Sequence, residues 1–511
     1  MGGAQSIHAR READLQIARG SEEISAPAAE SITLCSVAPE SGSSSERFFW
    51  LEEATDLTTR LTDDCLELVL EKLPLKDRRS CSLVCQRWFR AEAQSRQLLL
   101  LSANANLSPN LPDLLHRFKH ITKLALRCDR SSASIDDGGL LLVGRYAPQL
   151  ERLKLKGCKQ ITDQGLEDFS KLCPSLRKLS CGSCGFGARG LDAILANCEL
   201  LKDLSVKRLK NLFQEPDASV RAGAGKLRRL CLKDLANAHV FQPLIAGSTQ
   251  LHSLVLARLS GDWDELLAAI PRRLTELRME KIHVGDAGLA AISAACKALE
   301  VLYVVKCPQC TNAGLSALAH GCRSLRKLHL DGCFVGRIGD EGLAAIGQRC
   351  PELQELVLIR LNVRSASLAL GLERLAICNS ESFGDAELSC AVLRCRELKK
   401  LCIKSCPISD VGLEAIAAGC PSLVKVKIKK CRRVSAPGAS MLQSAREAVV
   451  VVVDSPVAVA AGMDLERRRG GPPALAARGP ATSSHAKTRF SFLTGPSNFV
   501  ACTLRRMAAP S

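Results

Sequence analysis

The sequence predicts an α/β solenoid: stacked strand–loop–helix units with parallel strands on a concave face and helices on a convex one, preceded by a small all-α module. Three observations predict it. The pattern L-x-x-L-x-L recurs with its first position at Ile121, Leu150, Leu176, Leu201, Leu227, Leu251, Leu274, Leu299, Leu325, Leu353, Leu372, Leu398 and Leu423, and an A-x-x-V-x-V follows at Ala448. The spacing runs from 19 to 29 residues, a period that means stacked repeats. Of 511 residues, 46% are apolar but only 4% aromatic, which disfavours aromatic-rich sandwiches and barrels. The 25 cysteines also keep the period. Cys173, Cys198, Cys296, Cys322, Cys350, Cys395 and Cys420 lie three residues before the repeat start. Cys158, Cys184, Cys307, Cys333, Cys406 and Cys431 lie eight residues after it. A small apolar group with a weak S–H donor fills such turns.

Five regions follow in order. Residues 1–56 are rich in Ser, Ala and Glu without periodicity, as expected of disorder. Met-Gly-Gly-Ala-Gln-Ser at the start fits the short pattern for N-myristoylation at Gly2; one acyl chain would give only marginal membrane association. There is no apolar signal-like stretch there and no run of 18 apolar residues, so the cysteines are expected as thiols in a reducing compartment.

Residues 57–102 read as the small helical module. Thr62 or Asp63 caps a helix with Leu66, Val69, Leu70 and Leu73 on one face, and Pro74 ends it. A second helix runs from about Lys76 and a third through Trp88 and Phe89. Residues 103–120 are expected as a linker. Residues 121–454 hold about 13–14 cysteine-containing leucine-rich repeats. Residues 455–511 carry eight basic and two acidic residues and read as a disordered basic tail.

In each strand the residues between the leucines point into the concavity, the natural binding wall of a solenoid. Of 39 such positions, 17 are basic and five acidic, against 70 to 53 in the whole chain, whose net charge is +17. Lys400, Lys404 and Lys427 belong to the basic part. Between the basic ends runs a less charged stripe of Val301, Tyr303, Val305, His329, Val357 and Ile359, in which Tyr303 suits an interface anchor. An acidic or mixed-charge protein segment is the expected target.

Residues 61–88, from Leu61-Thr62-Asp63-Asp64 to Val84-Cys85-Gln86-Arg87-Trp88, resemble an F-box, on Leu61, Asp64, Leu66, Leu70, Leu73, the Asp77-Arg78 turn, Val84-Cys85 and Trp88. An F-box before cysteine-containing repeats resembles the F-box/leucine-rich-repeat family. Within it the chain is similar to the plant VIER F-box, or Skp-interacting-partner, group, which also begins Met-Gly and ends near a C-T-L-R-R segment, here Cys502–Arg506. Many F-boxes open with Leu-Pro; here Leu61-Thr62 stands instead.

The resemblance implies a non-catalytic substrate receptor of an SCF-type ubiquitin ligase, in the nucleus or cytoplasm. A Skp-family adaptor would bridge it to a cullin and a RING subunit. Leu66, Leu70, Leu73, Leu83, Val84 and Trp88 would divide between internal packing and the adaptor, with Leu61 and Asp64 at the edge of that contact. Some relatives of this kind hold a small hormone and an inositol phosphate in the solenoid, but no pattern here specifies either.

No cofactor or metal is expected. Cys181–Cys184 and Cys307–Cys310 are C-x-x-C pairs, but lie far apart with no His pair. Phosphate-loop, H-E-x-x-H and G-x-S-x-G motifs are absent. The alternative is a basic scaffold, or a nucleic-acid-binding solenoid with a degenerate F-box; few aromatics and five wall acids make nucleic acid the weaker partner.

Overall fold

The computed structural model describes residues 57–454, apart from 210, 214–219, 221–223, 333–336, 364–370 and 447–448. Cys333, Gly2 and the expectations for residues 1–56 and 455–511 lie outside the described residues.

Among the described residues fifteen strands form one all-parallel sheet in sequence order. Every repeat start read from the sequence is followed two residues later by a strand, from Lys123–Arg127 to Val450–Asp454. The strands alternate because their side chains do. In Arg152–Lys156 the two leucines are buried and the three basic residues exposed. Leu150, just before the strand, is fully buried beneath the turn.

The sheet starts earlier than the sequence pattern does. Leu98–Ser102 pairs in parallel register with Lys123–Arg127. A 3-10 turn at Ala105–Asn110 and a helix at Leu111–Arg117 then close a complete first unit. Residues 103–120 are therefore the helical side of that unit rather than a linker, and the helical module stops before Leu98. The reason is chemical: Leu99 and Leu101 enter the common core, but Arg96 stands where the pattern wants its first leucine.

Successive units lock through their helix N-termini. Asp286, the first residue of its helix, accepts from Thr311 N at 2.8 Å and from Thr311 Oγ1 at 2.6 Å, and Thr311 caps the next helix. Asp137 holds Thr162, Asp385 holds Ser409 and Asp410 holds Ser435 in the same way. In each pair one bond satisfies a backbone N–H at the helix start and the other fixes the capping hydroxyl. The close approach explains the glycine in the next helix: a Cβ on Gly314 would lie 2.3 Å from Asp286 Oδ1.

The cysteines form a second inter-repeat ladder. Cys322 Sγ lies 3.4 Å from Cys296 O, and Cys350 Sγ 3.5 Å from Cys322 O. At the other fixed position, Cys184 Sγ reaches Leu155 O at 3.7 Å and Cys406 Sγ reaches Ile377 O at 3.7 Å. Burial pushes the thiols of Cys173, Cys198 and Cys322 up to about 12. They are packing groups with a weak donor, as the repeat position required.

Among the described residues three α-helices precede the sheet, α1 (Asp63–Lys72), α2 (Leu75–Cys81) and α3 (Gln86–Ser95), after a 3-10 turn at Leu57–Arg60. Thr62 caps α1 by accepting from Cys65 N at 3.4 Å. Leu66, Leu70 and Ala91 form a separate small core, with Leu73, Cys81 and Trp88 packed against it. Val69, expected on that inner face, is exposed; the buried spacing is Leu66, Leu70, Leu73, and Val69 falls one step to the side.

Candidate functional site: an apolar helical face and a charged concave wall

The helical module is held by polar ties that leave its leucines free. Arg87 binds Asp63 Oδ1 at 2.7 Å and Thr58 O at 2.8 Å, and also reaches Leu61 O. The buried Arg78 guanidinium donates to Leu70 O, and burial lowers its pKa. Of the residues expected at the adaptor, Leu66 and Leu70 lie inside and Leu73 and Trp88 pack against them. Leu61 is exposed, and Leu83 and Val84 stand 71% and 65% exposed. Leu68, Val69 and Leu75 add to this apolar surface. The sequence reading placed Val69 on the inner face and gave Leu68 and Leu75 no role, because apolar residues occupy both faces of these helices.

Asp64, with Glu67, Leu68 and Glu71, lines a cleft of about 750 Å³ together with Lys123 and Arg152 of the sheet, so Leu68 belongs to the border between this cleft and the exposed apolar residues. Below it, Glu92 is fully buried between Arg96 and Arg117, with Arg96 Nε at 2.6 Å and Arg117 at 3.6 Å. The Arg117 guanidinium also covers the Phe89 ring at 3.6 Å. Glu92 and Phe89 belong to α3 and Arg117 to the first solenoid unit, so this joint ties the module to the sheet. The sequence reading missed it, since a buried Glu looks like any helical Glu.

On the wall, three rows run across the strands. The middle row passes through Val255, Arg278, Tyr303, His329, Val357, Ala376, Cys402 and Lys427 in direct register. Tyr303 and His329 rings lie 5.3 Å apart, with Arg278 over Tyr303 at 5.5 Å. Burial, with Arg278 adding, pushes His329 down to about 4. Burial, then Glu355 and Glu276, raises Tyr303. Both rings are thus neutral at pH 7.

Val301, Val357 and Ile359 are half-buried around them, but Val305 is buried, against the expectation that it lines the wall. Glu280 and Asp331 stand at its register on either side, and it forms floor between them.

The stripe is bounded by ion pairs. Arg258 joins Asp234 and Glu280, the latter at 2.8 Å, and Arg278 reaches Glu280 at 3.2 Å. On the other side Arg360 pairs with Asp331 and Arg374 with Glu355 at 3.1 Å. Burial raises the Asp331 carboxyl against the pull of Arg360. Asp234, Arg258 and Arg360 belong to a fourth row that the sequence reading missed. They follow the strand core at φ between 51° and 57°, the left-handed region, as do Ser183, Arg208, Lys281 and Lys306 at the same repeat position. That turn aims their side chains along the rim of the wall. Its signal was weak: Gly157 and Gly332 share the position, but most units put other residues there.

Basic sectors flank the stripe. In the early one, Arg127 beside Lys156 lowers that ammonium pKa, helped by burial, Lys154, Arg208 and Lys207. In the late one Lys400, Lys404, Lys425, Lys427 and Lys429 share two adjacent strands. Among the described residues no group of three His, Cys, Asp or Glu could hold a metal ion, and no helix is long and apolar enough to cross a membrane.

Comparison with known proteins agrees with both parts. An F-box model matches residues 58–98, and a leucine-rich-repeat model matches 147–170, 321–347 and 394–417. The chain is 25% identical over 405 residues to F-box protein FBX14 of Arabidopsis thaliana, covering 71% of this chain and 59% of that protein. It is 24% identical over 400 residues to a Transport inhibitor response 1-like protein of Oryza sativa subsp. japonica, covering 69% and 66%. The match thus spans about three fifths to two thirds of these relatives' length. A chain of the yeast Rad7 and Elc1 complex gives a TM-score of 0.41 at 16% identity, covering 79% of this chain and 92% of that one. The chain is an F-box followed by a leucine-rich-repeat solenoid, similar to the plant F-box/leucine-rich-repeat proteins.

Proposed function

We propose that this chain is the target-binding subunit of an SCF-type ubiquitin ligase, working in the nucleus or cytoplasm. Its F-box docks a Skp-family adaptor, which bridges to cullin and RING subunits. Its wall holds a target protein for ubiquitination and degradation. The observation that carries the reading is the F-box surface: Leu61, Leu68, Val69, Leu75, Leu83 and Val84 are exposed within one short module. Such concentration of large apolar groups marks an interaction face. The chain needs no reactive group of its own for this work. Holding the target beside a charged conjugating enzyme raises effective concentration, and that is its contribution to rate.

On the wall, Tyr303 is the anchor, Val301, Val357 and Ile359 its apolar surround, and Lys400, Lys404 and Lys427 the partners of acidic target residues. The wall mixes Glu276, Glu280, Asp331 and Glu355 with its bases, which suits a mixed-charge protein better than a nucleic acid.

The test is co-purification of the full chain with a Skp-family adaptor, beside Leu83→Asp and Val84→Asp. Both side chains are exposed, so the variants keep their fold. Binding by the wild type and failure of both variants supports the reading. No binding by the wild type overturns it, and binding to random RNA with a steep salt slope would then identify a nucleic-acid solenoid.

A further inference from the structure

Cys402 lies at the centre of the late basic sector. Lys427 stands directly across from it on one side and Ala376 on the other. Lys400 and Lys404 precede and follow it on the same face of its own strand, two residues away each. Lys425 and Lys429 flank Lys427 in the same way. Five lysines therefore surround one half-buried thiol. Its neighbour on the remaining side is Cys378, the register partner of Lys404.

The neighbouring Cys378 thiol, then Lys427, Lys429 and Lys404, lowers Cys402 against the opposing effect of burial. Cys378 itself is raised, with burial adding. Most core cysteines face backbone carbonyls and are pushed up by burial, Cys184 beside Cys158 being the exception; what sets Cys402 apart is its place on the wall among the lysines. Thiolate character with solvent access is what makes a cysteine reactive.

We propose that Cys402 is a thiol-modification site for anionic disulfides of the glutathione type. The Cys402 thiolate attacks one sulfur of glutathione disulfide; the glutathione S–S bond breaks as the mixed disulfide forms. One glutathione thiolate leaves and takes a proton from solvent. The bound tripeptide carries two carboxylates, which the surrounding lysines attract. A bridge to Cys378 is disfavoured. The two residues sit one strand apart and two positions off register, so their Cα atoms are about 8 Å apart, past the ~7 Å limit for a disulfide. The adduct would cover the sector around Lys404 and Lys427.

The experiment uses the full chain with glutathione disulfide and maps adducts by peptide mass spectrometry across pH 5.5–9. Adaptor and target are absent, so the outcome is independent of the receptor reading. The exposed Cys390 is the internal reference. Cys402 is expected to react ahead of Cys390 at pH 6.5, with the adduct lost in Cys402→Ser. The double variant Lys427→Gln/Lys429→Gln should slow Cys402 about fivefold at pH 7 while leaving Cys390 unchanged, as expected for a thiolate pKa about one unit higher. Reaction of Cys402 no faster than Cys390, or an internal Cys378–Cys402 disulfide in place of the adduct, overturns the proposal.

Discussion

The F-box and the solenoid dispose of their leucines in opposite ways. In the solenoid nearly every repeat leucine is buried, and the wall is made of charge, two aromatic rings and a few half-exposed aliphatics. In the F-box a core of Leu66, Leu70 and Ala91 is all that three short helices can enclose, and six large apolar side chains remain outside. A module of this size buries too little to be stable unaided. Its exposed face is suited to permanent burial by an apolar partner, while the wall is suited to screened, reversible contacts that ionic strength tunes. On the proposed function, the first would be a docking face that resists change and the second a recognition face that charge substitutions retune.

The largest effect is expected at the joint between the two. Glu92→Ala leaves Arg96 and Arg117 facing each other in a buried site, a cost of about 3–5 kcal/mol. Hydrogen exchange should show α3 and the Leu111–Arg117 helix losing protection together. If they stay protected, the buried ion pair is not what couples F-box to solenoid. Next comes Leu70→Ala, which removes a fully buried side chain and costs about 2–5 kcal/mol. The F-box core is separate from the long solenoid core, so only F-box amides should exchange faster. Equal loss of protection in the strand Val301–Val305 would make the two regions one cooperative unit and break the comparison.

What was legible in the sequence follows the same division. Repetition made the solenoid readable: fourteen starts and fourteen strands agree, because each unit repeats the same packing problem. The first unit escaped because Arg96 breaks the frame, even though Leu99 and Leu101 behave as repeat leucines. The wall was readable in outline, since strand alternation places Tyr303, His329 and Val357 in one row. Its ion pairs were not, because Arg258 and Arg360 reach the wall from a left-handed turn that alternation does not describe. Within the F-box, helix positions were legible, but the inner and outer faces were not. Apolar residues occupy both faces there, so periodicity points in two directions at once.

A smaller, pH-dependent effect separates the wall from the F-box. His329 has its native pKa near 4, below the unfolded value of about 6.5. Between these values the unfolded chain binds a proton that the native chain refuses. Stability therefore rises with pH across this window and is lost on acidification from pH 6.5 toward 4. At pH 5 the loss from this group is about 2 kcal/mol. His329→Gln should remove that component, flattening the stability profile of the solenoid between pH 7 and 5 and leaving that of the F-box unchanged. An unaltered profile would mean that His329 is already solvated and charges freely in the native wall.

The smallest effect on stability is expected where the effect on binding is largest. Leu83 lies in the turn between α2 and α3, 71% exposed, with no place in either core. Leu83→Asp therefore changes thermal stability by less than about 0.5 kcal/mol, as exposed substitutions do. An Asp there can even raise solubility, since it interrupts an apolar patch. That is the behaviour the proposed adaptor contact requires of Leu83 and of Val84 beside it. Differential scanning calorimetry of the free protein tests this directly. A clear fall in the F-box transition would show that Leu83 packs within the module. The docking face would then shrink toward Leu68, Val69 and Leu75, and adaptor binding would have to be sought on the α1 side.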